Sequence, residues 1–123
     1  MINGFIFRCN GKTFQECLDR NLFGELEEYL PLIKQLSKGS KLFLYNTTNW
    51  KLYGIFEAKS KGDKYIEYQA WGGKFPAQIR VKPLGEIKSI HIDKTKGIIN
   101  FKGIYPNPIL SLENIKKLVE LFS

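Results

Sequence analysis

Residues 41–58, "KLFLYNTTNWKLYGIFEA", place two short apolar runs on either side of a polar turn. The runs 41–45 and 52–58 are rich in residues that favour strands, and "NTTN" between them is typical of a turn. The stretch therefore predicts a β-hairpin. A hairpin in the middle of the chain also predicts a sheet against which the flanking elements pack.

The segment before the hairpin predicts a strand and a helix. Residues 4–9, "GFIFRC", form an apolar run with the composition of a strand. The letters "TFQE" that follow predict a capping box, in which Thr13 accepts from the amide of Glu16 and Glu16 reaches back. Gly24 is the expected stop of this helix.

The remaining elements are assigned from spacing. A second helix is expected around Leu32–Leu36, with Pro31 in its first turn and Gly39 at its end. Ser111 is the expected N-cap of a closing helix. Three more strands are expected after the hairpin, at residues 75–82, 89–92 and 97–101. This order predicts an α+β domain with a curled, mostly antiparallel sheet or small barrel flanked by helices.

Length and composition narrow the class of protein. The chain has 123 residues and 43% apolar residues, so one domain spanning residues 1–123 is expected. No apolar run approaches the roughly 18 residues of a membrane span, and the first residues lack the pattern of a signal peptide. Cys9 and Cys17 are expected to be free thiols of a cytoplasmic protein. Neither a metal nor a cofactor is expected.

Positive charge is concentrated in the second part of the chain. The net charge is +7; residues 1–58 carry seven Lys or Arg against six Asp or Glu, and residues 59–123 carry twelve against six. One interpretation is a lysine-rich surface that keeps the protein soluble, and the other is a binding surface for a polyanion.

The sequence gives little support to catalysis. His91 is the only histidine, and it lies between Ile90 and Ile92 in a strand pattern. A general base needs a nucleophile or an acid beside it, and no such partner is indicated. The prediction is a protein that is not an enzyme.

Residues 65–75, "YIEYQAWGGKF", favour a binding function. Tyr65, Tyr68 and Trp71 recur every three residues, so a tight turn would project them to one side. Aromatic faces among cations suit single-stranded nucleic acid, because bases stack on the rings while lysine and arginine follow the phosphates. Trp50, at the hairpin tip, is a second candidate platform. The cations expected to contact phosphate are Arg80, Lys82, Lys74, Lys64 and Lys61. Alternatively, these aromatics fold inward to close a barrel, or form a patch for a protein partner.

Four segments together resemble the DCD domain (development and cell death domain). They are residues 4–24, 42–58, 75–80 ("FPAQIR") and the closing helical stripe to Phe122. That family is linked to stress and development rather than to a reaction. Its strand order is similar to that of the PUA-like superfamily, which includes the EVE and YTH domains.

The resemblance to YTH domains implies a pocket for a modified base between the first helix and the strands. "AWGGKF" is similar to the YTH stretch that holds a cage tryptophan, which implies that Trp71 is a cage wall. A second aromatic would fall within 65–68, and Phe23 approximates the tryptophan that YTH domains place after the first helix. Asn10 and Cys9 would supply polar contacts.

These observations favour one reading of function. The chain is expected to bind nucleic acid without catalysis, RNA rather than DNA, around an unpaired or modified base. The alternative is a protein-interaction module that uses the same aromatic residues, and no membrane partner is expected.

Overall fold

A computed structural model describes residues 2–123 of the chain. Within these residues there are three α-helices, α1 (Phe14–Arg20), α2 (Leu30–Ile33) and α3 (Leu112–Leu121). The strands are β1 (Gly4–Cys9), β2 (Leu22–Glu25), β3 (Lys41–Asn46), β4 (Lys51–Ala58), β5 (Asp63–Lys64), β6 (Ala77–His91), β7 (Phe101–Lys102), β8 (Tyr105–Pro106) and β9 (Ile109–Leu110). Single 3₁₀ turns occur at Glu27–Tyr29, Ala70–Gly73 and Ile92–Thr95.

The main sheet curls into a half-barrel, which confirms the predicted fold class. Its strand order is β2-β6-β4-β3-β1-β9, with β5 added beside β6. Only the β1–β3 pair is parallel among the pairs of this sheet within residues 2–123, and the predicted hairpin of β3 and β4 is present. Strands β7 and β8 form a separate two-stranded hairpin.

The predicted strands 75–82 and 89–92 are one continuous strand, β6. Pro83 and Gly85 lie between the two predicted segments. Strand β4 nevertheless pairs with both parts of β6, and the residues between Pro83 and Lys88 bulge outward opposite Ile55. Because one partner strand spans the irregularity, the sequence break does not end the strand.

The predicted strand at 97–101 is wrong except at its last residue, Phe101. Gly97 has φ +89°, and the amides of Ile98 and Ile99 both donate to the carbonyl of Thr95. These bonds continue the preceding turn and leave no ladder partner for this segment.

The start and end of α1 differ from the prediction. Thr13 makes no side-chain cap to the helix; its hydroxyl group instead accepts from the amide of Asn10 at 3.1 Å. The carboxylate of Glu16 instead accepts from the backbone amide of Trp71. The helix ends at Asn21, which has φ +49°, and Gly24 lies inside β2. Asn tolerates the left-handed conformation that the stop requires.

The other two helices agree better with the sequence. Helix α2 begins two residues earlier than expected, with Pro31 in its first turn. It ends at Ile33, so the prediction that Gly39 lies at its end is wrong. Ser111 caps α3 as predicted, in a reciprocal capping box with Asn114. The closing helical stripe does not include the first residue of α3, since Leu112 is 69% exposed.

Two apolar cores lie on opposite faces of the central strands. Phe5 and Phe7 of β1 face one core and Ile6 faces the other, as the two-residue period of a strand requires. The first core lies beside α1 and β2, and the second lies beneath α3. Burial on both faces explains why successive residues are apolar in β1, from Phe5 to Phe7, and in β3, from Leu42 to Tyr45.

Candidate nucleic-acid interface

Trp71, the expected cage wall, is a core residue with 6% of its surface exposed. Its indole lies so close to Gly24 that a Cβ there would be 2.5 Å from Cζ3. The ring of Phe75 meets the indole edge-on, with centroids 5.8 Å apart. For this residue the inward-folding alternative is correct: Trp71 packs beneath the surface and supports Phe75.

Polar contacts from three side chains, Arg20, Arg80 and Gln78, anchor the aromatic loop, residues 65–75. Glu67 is held by the guanidinium groups of Arg20 (2.6 Å) and Arg80. The side-chain oxygen of Gln78 accepts from the amide of Glu67 at 2.7 Å, and its nitrogen donates to the carbonyl of Glu67 at 3.1 Å. Hydrogen bonds from Arg80 and Arg20 lower the pKa of the Glu67 carboxyl. The loop is thus tied to α1 and to β6.

Glu16 of α1 anchors the far end of the loop. Its Oε2 accepts from the backbone amide of Trp71 at 2.8 Å and from Nε of Arg20 at 2.8 Å. The predicted helix cap is therefore a tertiary anchor. This use of Glu16 explains why its carboxylate does not reach back to Thr13.

Tyr65 and Tyr68 form the part of the loop that reaches solvent. Their rings contact each other at a tilt of 39° with centroids 4.5 Å apart, and Tyr68 is 70% exposed. The hydroxyl group of Tyr65 donates to the carbonyl of Gly73 at 3.3 Å, and Nζ of Lys64 lies 5.7 Å from its ring centroid. The pair presents an aromatic face beside a cation.

Phe23 and Trp50 have opposite environments. Phe23 is fully buried between Phe7 and Phe56, so its placement in a pocket wall is wrong. Phe23 lies in β2, the terminal strand of the sheet order, and its side chain packs into the first core. Trp50 lies at the hairpin tip as expected, 41% exposed and with φ +62°.

The five expected phosphate contacts are not equally free. Nη1 of Arg80 donates to the carbonyl of Arg20 at 2.9 Å and to Glu67, so this guanidinium group is already paired within the protein. Lys64 pairs with Glu27 at 2.8 Å, and Lys82 lies 4.0 Å from Glu57. Among residues 2–123, the exposed Lys61 and Lys74 have no ion-pair partner.

A small cavity of about 210 Å³, here called the Asn10 cavity, opens at the end of β1. The side-chain oxygen of Asn10 accepts from the amides of Lys12 (2.9 Å) and Thr13 (3.1 Å). Its Nδ2 has no acceptor among residues 2–123 and remains available as a donor. The cavity is lined by Arg8, Cys9, Asn10, Thr13, Glu25, Leu26, Thr47, Phe75 and Tyr105.

A larger cavity of about 520 Å³, here called the Tyr105 cavity, adjoins the first. Its floor is an ion pair that the sequence analysis missed: Glu25 accepts from the amide of Arg8 (3.0 Å), from Nε (3.2 Å) and from Nη2 (3.1 Å). The ring of Tyr29 lies 5.1 Å from Cζ of Arg8. The cavity is lined by Ile6, Arg8, Glu25, Tyr29, Asn100, Phe101, Lys102, Tyr105, Pro106, Asn107 and Pro108.

A signal for this ion pair was present in the sequence. Arg8 interrupts the apolar run "GFIFRC", and Glu25 follows the run "NLFG". A charge within a buried strand needs a partner, and one charge of each sign in two strand segments indicates a pair. The hydrogen bond from Arg8 to Glu25 raises the pKa of Arg8.

His91 lies on an exposed turn and not in a cleft. Its Nδ1 accepts from the amide of Asp93 at 3.2 Å and lies 3.6 Å from the carboxylate of the same residue, and both side chains are about half exposed. The histidine caps the turn. No group of three potential metal ligands occurs among the described residues. Cys9 and Cys17 are buried free thiols, as expected, and the hydrogen bond with Cys17 raises the pKa of Cys9.

The family model described as the development and cell death domain matches residues 3–122. The chain belongs to this family. The DCD prediction from the sequence is thereby confirmed, and the family description names no reaction. No helix within residues 2–123 is both long enough and apolar enough to cross a bilayer.

Curated relatives share the DCD domain over nearly the whole chain. The "B2 protein" of Daucus carota is 36% identical over 128 residues, which cover 98% of this chain. The "DCD domain-containing protein NRP-B" of Glycine max is also 36% identical over 128 residues. This chain spans 60% of the length of the first relative and 38% of the second, so both relatives contain additional sequence.

Solved structures of YTH domains have a similar fold. The Pho92 YTH domain, solved in complex with m6A, superimposes with a TM-score of 0.70 at 14% identity and covers 97% of this chain and 82% of its own. The YTH domain of Zygosaccharomyces rouxii MRB1, solved with N6-methyladenosine RNA, gives 0.66 at 13% identity over 97% and 85%. The ASCH protein of Zymomonas mobilis gives 0.65 at 14% identity over 98% and 97%. At these identities the likeness establishes the fold.

Proposed function

We propose that residues 1–123 of this DCD domain bind single-stranded RNA without catalysis, and that an unpaired or modified base enters the Asn10 cavity. Two of the similar YTH structures were solved with methylated adenosine or RNA containing it, which supports RNA as the ligand class. The observation that carries the proposal is the position of the Asn10 cavity. It opens where α1 meets the ends of β1 and β2, and it offers a free amide donor in a partly apolar wall.

The chemistry of this cavity suits a nucleobase. Nδ2 of Asn10 can donate to a base nitrogen or carbonyl oxygen, and Phe75 and Leu26 offer apolar contact. Trp71 contributes indirectly, because its buried indole fixes the position of Phe75. An unpaired base is favoured because removing it from a stack costs only a few kcal/mol.

Exposed groups near the loop supply contacts to the rest of the strand. Tyr68, exposed and in contact with the tilted ring of Tyr65, is a platform on which a second base can stack, worth roughly 1–3 kcal/mol. Lys61 and Lys74 are exposed and unpaired within residues 2–123, so phosphate contact would not require breaking an existing ion pair. The net charge of +7 provides long-range attraction.

The test is fluorescence anisotropy with a labelled random single-stranded RNA at low and moderate salt. Asn10→Asp keeps the oxygen that accepts from Lys12 and Thr13 but removes the Nδ2 donor. We expect it to weaken binding about 5- to 100-fold. Asn3→Asp is the matched control, because it makes the same charge change at the opposite end of β1, seven residues away.

The tyrosine platform is tested in the same assay. Tyr68→Ala should weaken binding by about 1–3 kcal/mol with little change in the salt slope, and the exposed Leu112→Ala on α3 should leave binding unchanged. Comparison with DNA of the same sequence tests the expected preference for RNA. If wild type does not bind RNA even at low salt, the proposal is wrong and the protein-interaction alternative takes its place.

A further inference from the structure

We infer that the Tyr105 cavity is a second nucleotide subsite, in which a base stacks on Tyr105 while its phosphate meets the free edge of Arg8 and Lys102. This inference rests on the proposed function and extends it to a neighbouring nucleotide. The proposed base site uses Asn10, Leu26 and Phe75, and none of these three residues lines the Tyr105 cavity.

The two cavities adjoin each other. Both are lined by Arg8, Glu25 and Tyr105, so a strand whose base occupies the Asn10 cavity would reach the larger cavity across these three residues. The Tyr105 cavity, at about 520 Å³, lies within the range of roughly 300–1,000 Å³ typical of small-ligand sites. The larger cavity thus has room for a nucleotide beside the base site.

Arg8 is held in a fixed orientation with one edge free. Nε and Nη2 donate to the two oxygens of Glu25, and the ring of Tyr29 covers one face. Nη1 has no acceptor within residues 2–123, and the side chain is 32% exposed. A guanidinium group fixed by a carboxylate and a ring loses little conformational freedom when it binds an anion, since its position is already set.

The carboxylate of Glu25 does not oppose an incoming phosphate at the surface. Its side chain is only 5% exposed, and within residues 2–123 its carboxylate accepts hydrogen bonds from Arg8 alone. The pair is neutral as a unit, so the net positive charge at this site comes from Lys102. That lysine is exposed and has no ion pair among the described residues.

Tyr105 provides the stacking surface. It lies on the β7–β8 hairpin, 46% exposed, and Phe101 of the same hairpin also lines the cavity. The hairpin is joined to β1 by the bond from the amide of Ile6 to the carbonyl of Pro108, at 2.8 Å. Proteins that bind single-stranded nucleic acid combine an aromatic face with cations beside it.

The experiment is anisotropy with a labelled random-sequence RNA decamer and three hairpin variants. Tyr105→Ala should weaken binding about 5- to 150-fold, which corresponds to one stacked base at roughly 1–3 kcal/mol and 1.4 kcal/mol per tenfold. Lys102→Gln should reduce the slope of log affinity against log salt by about 0.7, the value for one phosphate on a single strand. Ile104→Ala is the matched control, because Ile104 is 53% exposed on the same hairpin and does not line the cavity.

The outcomes separate this inference from the proposed function. If Asn10→Asp weakens binding but Tyr105→Ala behaves like Ile104→Ala, the second subsite is wrong and the base cavity stands. If wild type binds no RNA at low salt, both fail. If a polyglutamate decamer displaces the RNA and Tyr105→Ala abolishes binding of that peptide only, the cavity is a site for acidic peptides. Thermal unfolding of each variant should match wild type, since the three side chains are exposed.

Discussion

Substitution of Gly24 by alanine tests the packing on which the candidate site depends. A Cβ at position 24 would lie 2.5 Å from Cζ3 and 2.9 Å from Cη2 of Trp71, and 3.1 Å from Cβ of Phe75. Real Cβ contacts essentially never fall below 3.0 Å, so the indole must move by at least 0.5 Å. Inserting a methyl group into a packed core typically costs about 1–3 kcal/mol, and we expect Gly24→Ala to reduce the free energy of unfolding by this amount.

Urea denaturation measures this loss, with Gly11→Ala as the control. A Cβ at Gly11 would meet Thr48 at an ordinary 3.5 Å, so that variant should stay within about 0.5 kcal/mol of wild type. Trp71→Phe removes the clashing ring atoms, and in the double variant the two losses should be less than additive. Equal stability of Gly24→Ala and Gly11→Ala would refute the close approach of the indole to β2.

Four further substitutions probe the charges, the helix cap and the backbone. Glu67→Gln should cost about 1 kcal/mol at pH 7. Because the pKa of Glu67 is lowered, its carboxylate contributes to the free energy of unfolding above the ordinary pKa of about 4.3. This contribution is lost as the pH falls through the folded-state pKa. The denaturation curves of wild type and Glu67→Gln should therefore converge in acid. Glu25→Gln should cost up to about 3 kcal/mol by the same assay, since it removes the partner of Arg8. Ser111→Ala should cost about 1 kcal/mol in thermal unfolding, because α3 loses its cap. Trp50→Gly should be more stable than Trp50→Ala by about 1 kcal/mol, the reverse of the usual order, since φ is +62° there.

The regular part of the fold could be predicted because its signals are local. Strand β1 and the hairpin of β3 and β4 have short apolar runs and a polar turn, and the structure contains all three. The closing helix has its cap at Ser111 as expected. The error at β6 arose because Pro83 and Gly85 are local signals for a break, whereas the strand continues through pairing with β4, more than 25 residues earlier in the chain.

The candidate site was harder to predict because it depends on distant contacts. The burial of Trp71 follows from its approach to Gly24, which lies 47 residues earlier, and no pattern within 65–75 reveals that contact. Arg80 lies on the polar face of its strand as expected, but its guanidinium group forms an ion pair with Glu67. Tyr105 lies in a two-residue strand, too short for a periodic signal. The sequence therefore predicted that aromatic and basic residues form this region, but it predicted the wrong role for several of them.

The backbone geometry of the aromatic loop explains why one of its aromatic side chains is buried in the core while another is exposed. Tyr65 and Trp71 have φ of +49° and +51°, a conformation that costs non-glycine residues roughly 1 kcal/mol or more each. The contacts of Glu67 and the Glu16 bond to the Trp71 amide hold this backbone in place. One ring is thereby directed into the core while Tyr68 remains 70% exposed. Core packing accounts for Trp71 but gives no reason for the exposed tyrosine, and the surface it forms is the part of the loop that a ligand can reach.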